Sequence, residues 1–339
     1  MKSITFNASA IAATDLALPA SPHFEAIAIS TLQQHACDEH WQVIDDQTGA
    51  ALARASLWWE NVPSVPDEKL GVIGHFAAAF PEASSELLNC ICRRLKELGC
   101  TLAVGPMDGN TWRKYRFVTD IQGNLETAEP LFFLEPHNPA IFPTWFEASG
   151  FESFARYTSS LITDLTKEDP RVARANERLQ GNGIVIKPLE KDKFDQDLEA
   201  VYHLSCQSFT QNFLYTPISL GHFLKLYQPL REKMVPELVQ LAWHEDKLAG
   251  YLFGIPDFAQ LQRGQQLDTA IAKTLAILPG KTYGGLGAVL TNVFHRNAHA
   301  LGYKRCIHAL AYEGNGKAQH LTAFFGTVMR HYTLFSRRL

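Results

Sequence analysis

Several features that would settle a function class early are missing from these 339 residues. No apolar run is long enough to suggest a transmembrane helix, so no membrane partner is expected. Runs of Lys and Arg never exceed a pair, as in Arg93-Arg94 and Arg337-Arg338, and 31 basic residues stand against 35 acidic ones. A duplex-binding protein would carry a basic stripe, so no nucleic-acid partner is expected. Cysteine is sparse, with 6 in the chain and no Cys-x-x-Cys. Cys90 and Cys92 sit two apart on an expected helix and do not face each other, which points to reduced thiols in a cytoplasmic protein. No Gly-x-Ser-x-Gly occurs, so a hydrolase nucleophile elbow is not supported. Asn7, Ser9 and Asp15 interrupt the apolar stretch after Lys2, so a signal peptide is not expected.

What is present reads as a folded two-part chain. At roughly 150 residues per domain, the length suggests two domains. The stretch Trp41–Trp58 reads as a hairpin, residues 69–80 as a largely apolar strand, Pro81–Leu98 as a helix stopped by Gly99, and Thr101–Gly105 as a strand. The later half repeats that order. A hairpin covers residues 238–254, a strand 269–278, a helix Gly287–Leu301 stopped by Gly302, and a strand Cys306–Ala311. Between the halves, residues 164–183 are charged and read as a polar linker helix. An internal duplication is the economical inference.

The sharpest local feature is the run Leu275 to Leu290, an apolar strand entering a glycine-rich turn that opens a helix. Gly284, Gly285 and Gly287 permit close backbone approach, and the free N–H groups of a helix start can cradle a phosphate. Two glycine-loop families are set aside. Leu275 stands where a Walker loop needs its first glycine, and Leu290 stands where a dinucleotide fingerprint needs its third. His295 and His299 have the spacing of a helical metal pair but lack a third ligand, so no metal is expected.

The loop resembles the acyl-CoA signature of the GNAT acyltransferases. Ile277-Leu278-Pro279 resembles the strand end of that signature, and Thr282-Tyr283-Gly284-Gly285-Leu286-Gly287 resembles its loop. Asn315 followed by Ala318, and then Phe325-Gly326, resemble the closing helix. Gly105-Pro106-Met107-Asp108, the run Leu134–Phe151, Tyr215–Ile218 and Pro236–Val239 resemble segments of bacterial tandem-GNAT proteins.

The resemblance implies an α+β protein of two tandem GNAT-like domains, each with a mixed, mostly antiparallel twisted sheet flanked by helices. The expected division is a degenerate N-terminal domain over 1–165, a linker helix over 166–183 and a cofactor-binding domain over 184–339. The implied activity is N-acyl transfer from acetyl-CoA or another acyl-CoA to an amine of a small molecule or peptide. Two alternatives are an aminoacyl-transferase-like enzyme and a non-catalytic binding scaffold. The cofactor residues implied are Ile277, Pro279, Lys281, Thr282, Tyr283, Gly284, Gly285, Leu286, Gly287 and Asn315. Acyl transfer needs a base for the amine, N–H groups for the carbonyl and an acid for the departing sulfur. His308, Tyr312 and Glu313 are the catalytic candidates, with Asp257 as a further base and His320 as a further acid. Thr282 replaces the usual Arg or Gln of the loop, and Thr322 stands where the family carries a tyrosine acid.

Overall fold

The computed structural model describes residues 1–13, 15–121 and 128–339. Its strands are β1 (Lys2–Asn7), β2 (Glu39–Ile44), β3 (Ala51–Trp58), β4 (Leu70–Ala78), β5 (Leu102–Gly105), β6 (Phe117–Ile121), β7 (Glu152–Ile162), β8 (Ile184–Pro188), β9 (Val239–His244), β10 (Lys247–Pro256), β11 (Thr269–Ile277), β12 (Arg305–Tyr312) and β13 (Thr327–Arg338). The helices are α1 (Ala8–Ile11), α2 (Ile29–His35), α3 (Pro81–Glu97), α4 (Phe142–Ala148), α5 (Pro170–Gly181), α6 (Phe194–Ser208), α7 (Leu220–Tyr227), α8 (Phe258–Gln262), α9 (Leu286–Ala300) and α10 (Gly316–Phe325).

Local chemistry accounts for the main elements. Asp45 Oδ1 accepts the N–H groups of Gln47 and Thr48, which closes the β2–β3 turn at Gly49. Pro81 opens α3 at its first position, and Leu87, Leu88, Ile91 and Leu95 form its buried face. Gly99 and Gly302, both with positive φ, end α3 and α9. Residues 24–28 carry no regular element, and α2 begins at Ile29.

All the strands join one sheet, in the order β1-β2-β3-β4-β5-β13-β7-β12-β11-β10-β9-β8, with β6 added to β13. The pairings are antiparallel except β4 with β5 and β11 with β12. Each parallel pair brackets a crossover helix, α3 in the first half and α9 in the second. The two halves are therefore structural copies, a mixed, mostly antiparallel sheet flanked by helices.

The join between them is an exchange of strands. β13, the last strand, lies between β5 and β7 of the first half. β7, from the first half, lies between β13 and β12. A buried ion pair secures this region, with Arg330 of β13 donating to both Glu135 oxygens at 2.8 and 2.7 Å. Packing is close where helices meet the sheet. A Cβ at Gly254 would stand 2.3 Å from the Phe294 ring of α9, so only glycine fits under that helix.

Candidate active site

The parallel pair β11–β12 is bonded only from Thr269 opposite Arg305 to Ala272 opposite His308. Beyond Ala272 the strands diverge. β11 stays with β10, while β12 stays with β7. The register of β10 on β11 slips between Phe253 and Gly254, which leaves Lys273 as a bulged residue where the split opens. From Lys273 onward the inner edge of β11 has no strand partner among the described residues, so its amide N–H groups open into the gap. The gap widens into a cavity of about 700 Å³, walled mainly by apolar side chains of both halves.

The glycine turn lies at the far end of β11. Gly280 has φ 140°, Lys281–Tyr283 form one 3₁₀ turn, and Gly285 has φ 82° directly before α9. No side chain caps α9, so its first N–H groups are available to an anion. Tyr283 is tied by its hydroxyl to His244 Nδ1 at 3.2 Å, Ile277 by its carbonyl to Ser208 Oγ at 2.9 Å, and Leu286 is buried. Pro279, Lys281 and Thr282 are exposed around the turn, while Gly287 is half-buried in the first turn of α9. Asn315 precedes α10 and lines the cavity, and the side chain of Ala318 lies outside the described residues.

The cavity gathers His308 and Tyr312. His308 is the last residue of β12 to pair with β11, so it sits at the apex of the split. Its Nε2 lies 2.9 Å from His295 Nε2 of α9. Burial first, and then the neighbouring His295, push its pKa down to about 3. His308 is therefore a neutral imidazole at physiological pH. Tyr312 stacks on Phe213 with ring centroids 5.5 Å apart.

Other candidates stand elsewhere. Glu313 faces a shallow depression beyond Tyr312 and approaches His331 Nδ1 at 3.4 Å, away from His308. Asp257 caps α8 through the Ala259 N–H and also accepts the Phe133 N–H. His320 is exposed, with Nδ1 2.6 Å from the Gly316 carbonyl. His295 is buried against His308, whereas His299 is exposed on the last turn of α9. Thr322 lines the cavity, so no phenol projects from that position. The aromatic side chains of Phe209, Phe213 and Tyr215 also line the cavity.

Three residues overlooked in the sequence belong to this region. Arg178 of α5 donates to the Gly284 carbonyl, which sets a guanidinium beside a loop that lacks its usual arginine. Lys273 lines the cavity, and its pKa is lowered to about 8 by burial first and then by Arg116. Arg116 lines the same cavity. Signals existed for two of them. Lys273 is the one charge in an apolar strand, and Arg116 closes a basic–aromatic run, Trp112 to Arg116, after the Gly-Pro-Met segment.

The first half holds no counterpart of the glycine turn. Pro81 at the first position of α3 removes a donor, and no glycine precedes it between Phe80 and Ala77. Among the described residues, His35, His75 and Asp108 bring three ligand-type atoms within 4.8 Å of one another. However, His35 Nδ1 and His75 Nε2 are 2.8 Å apart. That is a hydrogen bond, closer than the roughly 3.3 Å between two nitrogens on one tetrahedral zinc.

The sequence matches no protein-family model. It is 22% identical over 214 residues to a bacterial ceramide synthase of Caulobacter vibrioides, an alignment covering 62% of this chain and 54% of that protein. The chain thus spans about half the length of that relative. Among solved structures it is similar to the GCN5-related glucosamine N-acetyltransferase region of a fungal multi-domain β-N-acetylglucosaminidase. That match has a TM-score of 0.52 and 12% identity, and covers 88% of this chain and 33% of that one. It is also similar to a tandem GNAT protein from the clavulanic acid biosynthesis pathway, with a TM-score of 0.47 and 10% identity over 99% of this chain and 98% of that one. With its split parallel strands, glycine turn and crossover helix, the chain has the fold of the GCN5-related N-acetyltransferases, repeated in two tandem halves.

Proposed function

We propose that this chain is an acyl-CoA-dependent N-acyltransferase, moving an acyl group, acetyl in the simplest case, to an amine of a small molecule or peptide. One observation carries the reading. The split between β11 and β12 joins an uncapped glycine turn at one end to a cavity with a neutral imidazole at its apex.

The residues fit an acyl-CoA. The first N–H groups of α9 and the guanidinium of Arg178 suit an anionic pyrophosphate. The open edge of β11 from Lys273 suits the pantetheine amides and the carbonyl. Bound there, an acyl-CoA would supply a thioester carbonyl activated toward an amine. The chain's own groups do the rest. N–H groups on the β11 edge polarise a carbonyl oxygen held in the split. In the tautomer where His308 Nε2–H donates to His295, His308 Nδ1 keeps a lone pair that can hold an amine proton. Tyr312, which also lines the cavity, is the candidate donor for the role that Thr322 leaves vacant.

The likeness to a ceramide synthase supports the same bond, since a ceramide is an amide made by N-acylation. The mainly apolar cavity also suits a long acyl chain or an apolar acceptor.

The test is calorimetric titration with CoA, acetyl-CoA and a long-chain acyl-CoA, followed by a thiol-release assay across a panel of amines. Micromolar binding with thiol release supports the reading. No heat and no thiol from any of them would sink it, and the scaffold alternative would take its place.

A further inference from the structure

Arg116 is a buried cation without a counter-charge among the described residues. It is 7% exposed, and its Nε and Nη1 have no hydrogen-bond partner among the described residues. Its guanidinium carbon lies 4.0 Å from the centre of the Tyr115 ring and 4.2 Å from that of Tyr157. Its backbone is held at φ 67°, a conformation a non-glycine residue adopts only when its surroundings impose it. These contacts fix the plane and position of the cation. They do not neutralise it.

Among the described residues, Glu135 is the only acidic one lining the cavity, and both its oxygens are taken by Arg330, with Tyr332 donating to one as well. The same cavity carries Arg113, Lys114 and Lys273. Arg113 is spent on the carbonyls of His35 and Asp108. Lys273 donates to the Leu134 carbonyl at 3.2 Å and makes no ion pair among the described residues, though it feels the charge of Glu135. The cavity thus holds an excess of positive charge inside aromatic walls. A desolvated charge left unpaired is costly, and it is retained where something else completes it.

We propose that the acceptor amine carries an anionic group, a carboxylate or a phosphate ester, and that Arg116 is the residue that binds it. This identifies the substrate class for the acyltransfer reading and rests on it. The tyrosine faces that flank Arg116 hold the guanidinium at the cavity wall, where a carboxylate or phosphate can accept a charge-assisted N–H bond from it. An apolar or aromatic body between amine and anion would pack on the remaining wall.

The test uses the full-length protein and two matched probe pairs measured by calorimetry. L-phenylalanine is set against phenethylamine, and O-phosphoethanolamine against ethanolamine. At least one anionic member should bind tenfold or more tighter than its neutral partner. The pair that shows the preference separates a carboxylate from a phosphate. Arg116→Met should abolish the preference, and Arg116→Lys should keep part of it. Binding of neither anionic probe, or a preference that survives Arg116→Met, overturns the proposal. Thermal melting provides a second, ligand-free readout. Removing an unpaired buried charge should leave the apo protein as stable or more stable, whereas a clear loss in Arg116→Met would make the guanidinium a structural clamp. CoA titrated on the same samples keeps the two readings apart. CoA binding without an anion preference removes only this inference, and an anion preference without CoA binding removes only the acyltransfer reading.

Discussion

His308 and His295 face each other across the apex of the split, Nε2 to Nε2 at 2.9 Å, with their rings nearly parallel at 15°. One ring must donate and the other accept. Burial lowers the pKa of His308 to about 3 and of His295 to about 4. A second charge so close would be repelled, so the pair is neutral throughout the physiological range.

This predicts the shape of a pH–rate profile. If His308 holds the amine proton, kcat/KM should show no inflection near 6.5 from this pair, and its acid limb should lie nearer pH 4. His308→Gln should cost on the order of 10²-fold in kcat. An acid limb near 6.5 that persists in His308→Gln would assign the base to another group.

The same burial sets the response to acid. His40, like His295 and His308, is buried and lowered, to about 3. For such a group the unfolded chain binds protons that the folded one refuses, so its contribution is full above about pH 6.5 and is lost as pH falls toward the folded value. At pH 5 each of the three should cost about 2 kcal/mol relative to pH 7. Asp108 works the other way, since burial raises its carboxyl to about 6, but it offsets only about 1 kcal/mol. Urea midpoints should therefore fall steadily from pH 7 to pH 5. A flat profile over that interval would contradict the buried neutral imidazoles.

Two glycines of the turn should respond differently to substitution. At Gly287 a new Cβ meets Leu275 at an ordinary 3.5 Å, and an aspartate in the first turn of α9 suits the helix dipole by roughly 0.3–1 kcal/mol. Gly287→Asp should keep or raise Tm while lowering CoA affinity at least tenfold. Gly285 has φ 82°, and a Cβ there would stand 3.1 Å from Ala175. Gly285→Ala should therefore lose roughly 1–2 kcal/mol of stability even without ligand. Unchanged CoA affinity in a folded Gly287→Asp protein would remove the turn from the binding site.

The strand exchange makes the halves depend on each other. Deleting residues 327–339 removes β13, whose Tyr332, Leu334 and Phe335 are buried and whose Arg330 pairs with Glu135. Glu135 would be left as an uncompensated buried charge, which costs about 3–5 kcal/mol, and the edges of β5 and β7 would be left open. The truncated chain, and likewise residues 1–165 expressed alone, should fail to show a cooperative thermal transition. A native-like melt from either would show that the first half does not depend on β13.

Much of the secondary structure was readable from local pattern. α3 and α9 follow from apolar residues at helical spacing between a proline or glycine start and a glycine stop, and β2–β3 and β9–β10 from turn residues between apolar runs. The glycine turn, the split strand that feeds it and His308 on the next strand were legible for the same reason. Each lies within one stretch of chain. β7 was not anticipated, because its alternation of Thr, Ser, Arg and Ala follows no simple apolar period. It is buried by strands from both sides, β12 and β13, whose positions no local pattern reveals.

The sequence by itself determined the repeated order of elements and the chemistry of the turn, since backbone conformation and hydrophobic period act between near neighbours. Only the tertiary structure decided which charges meet. It brought Arg178 onto Gly284 across 106 positions of chain and paired Arg330 with Glu135 across 195. It left Arg116, between two tyrosine rings, with no ion-pair partner among the described residues. Coulomb and hydrogen-bond energies depend on distance in space and on the water excluded around them, and neither is written in the spacing of residues along the chain.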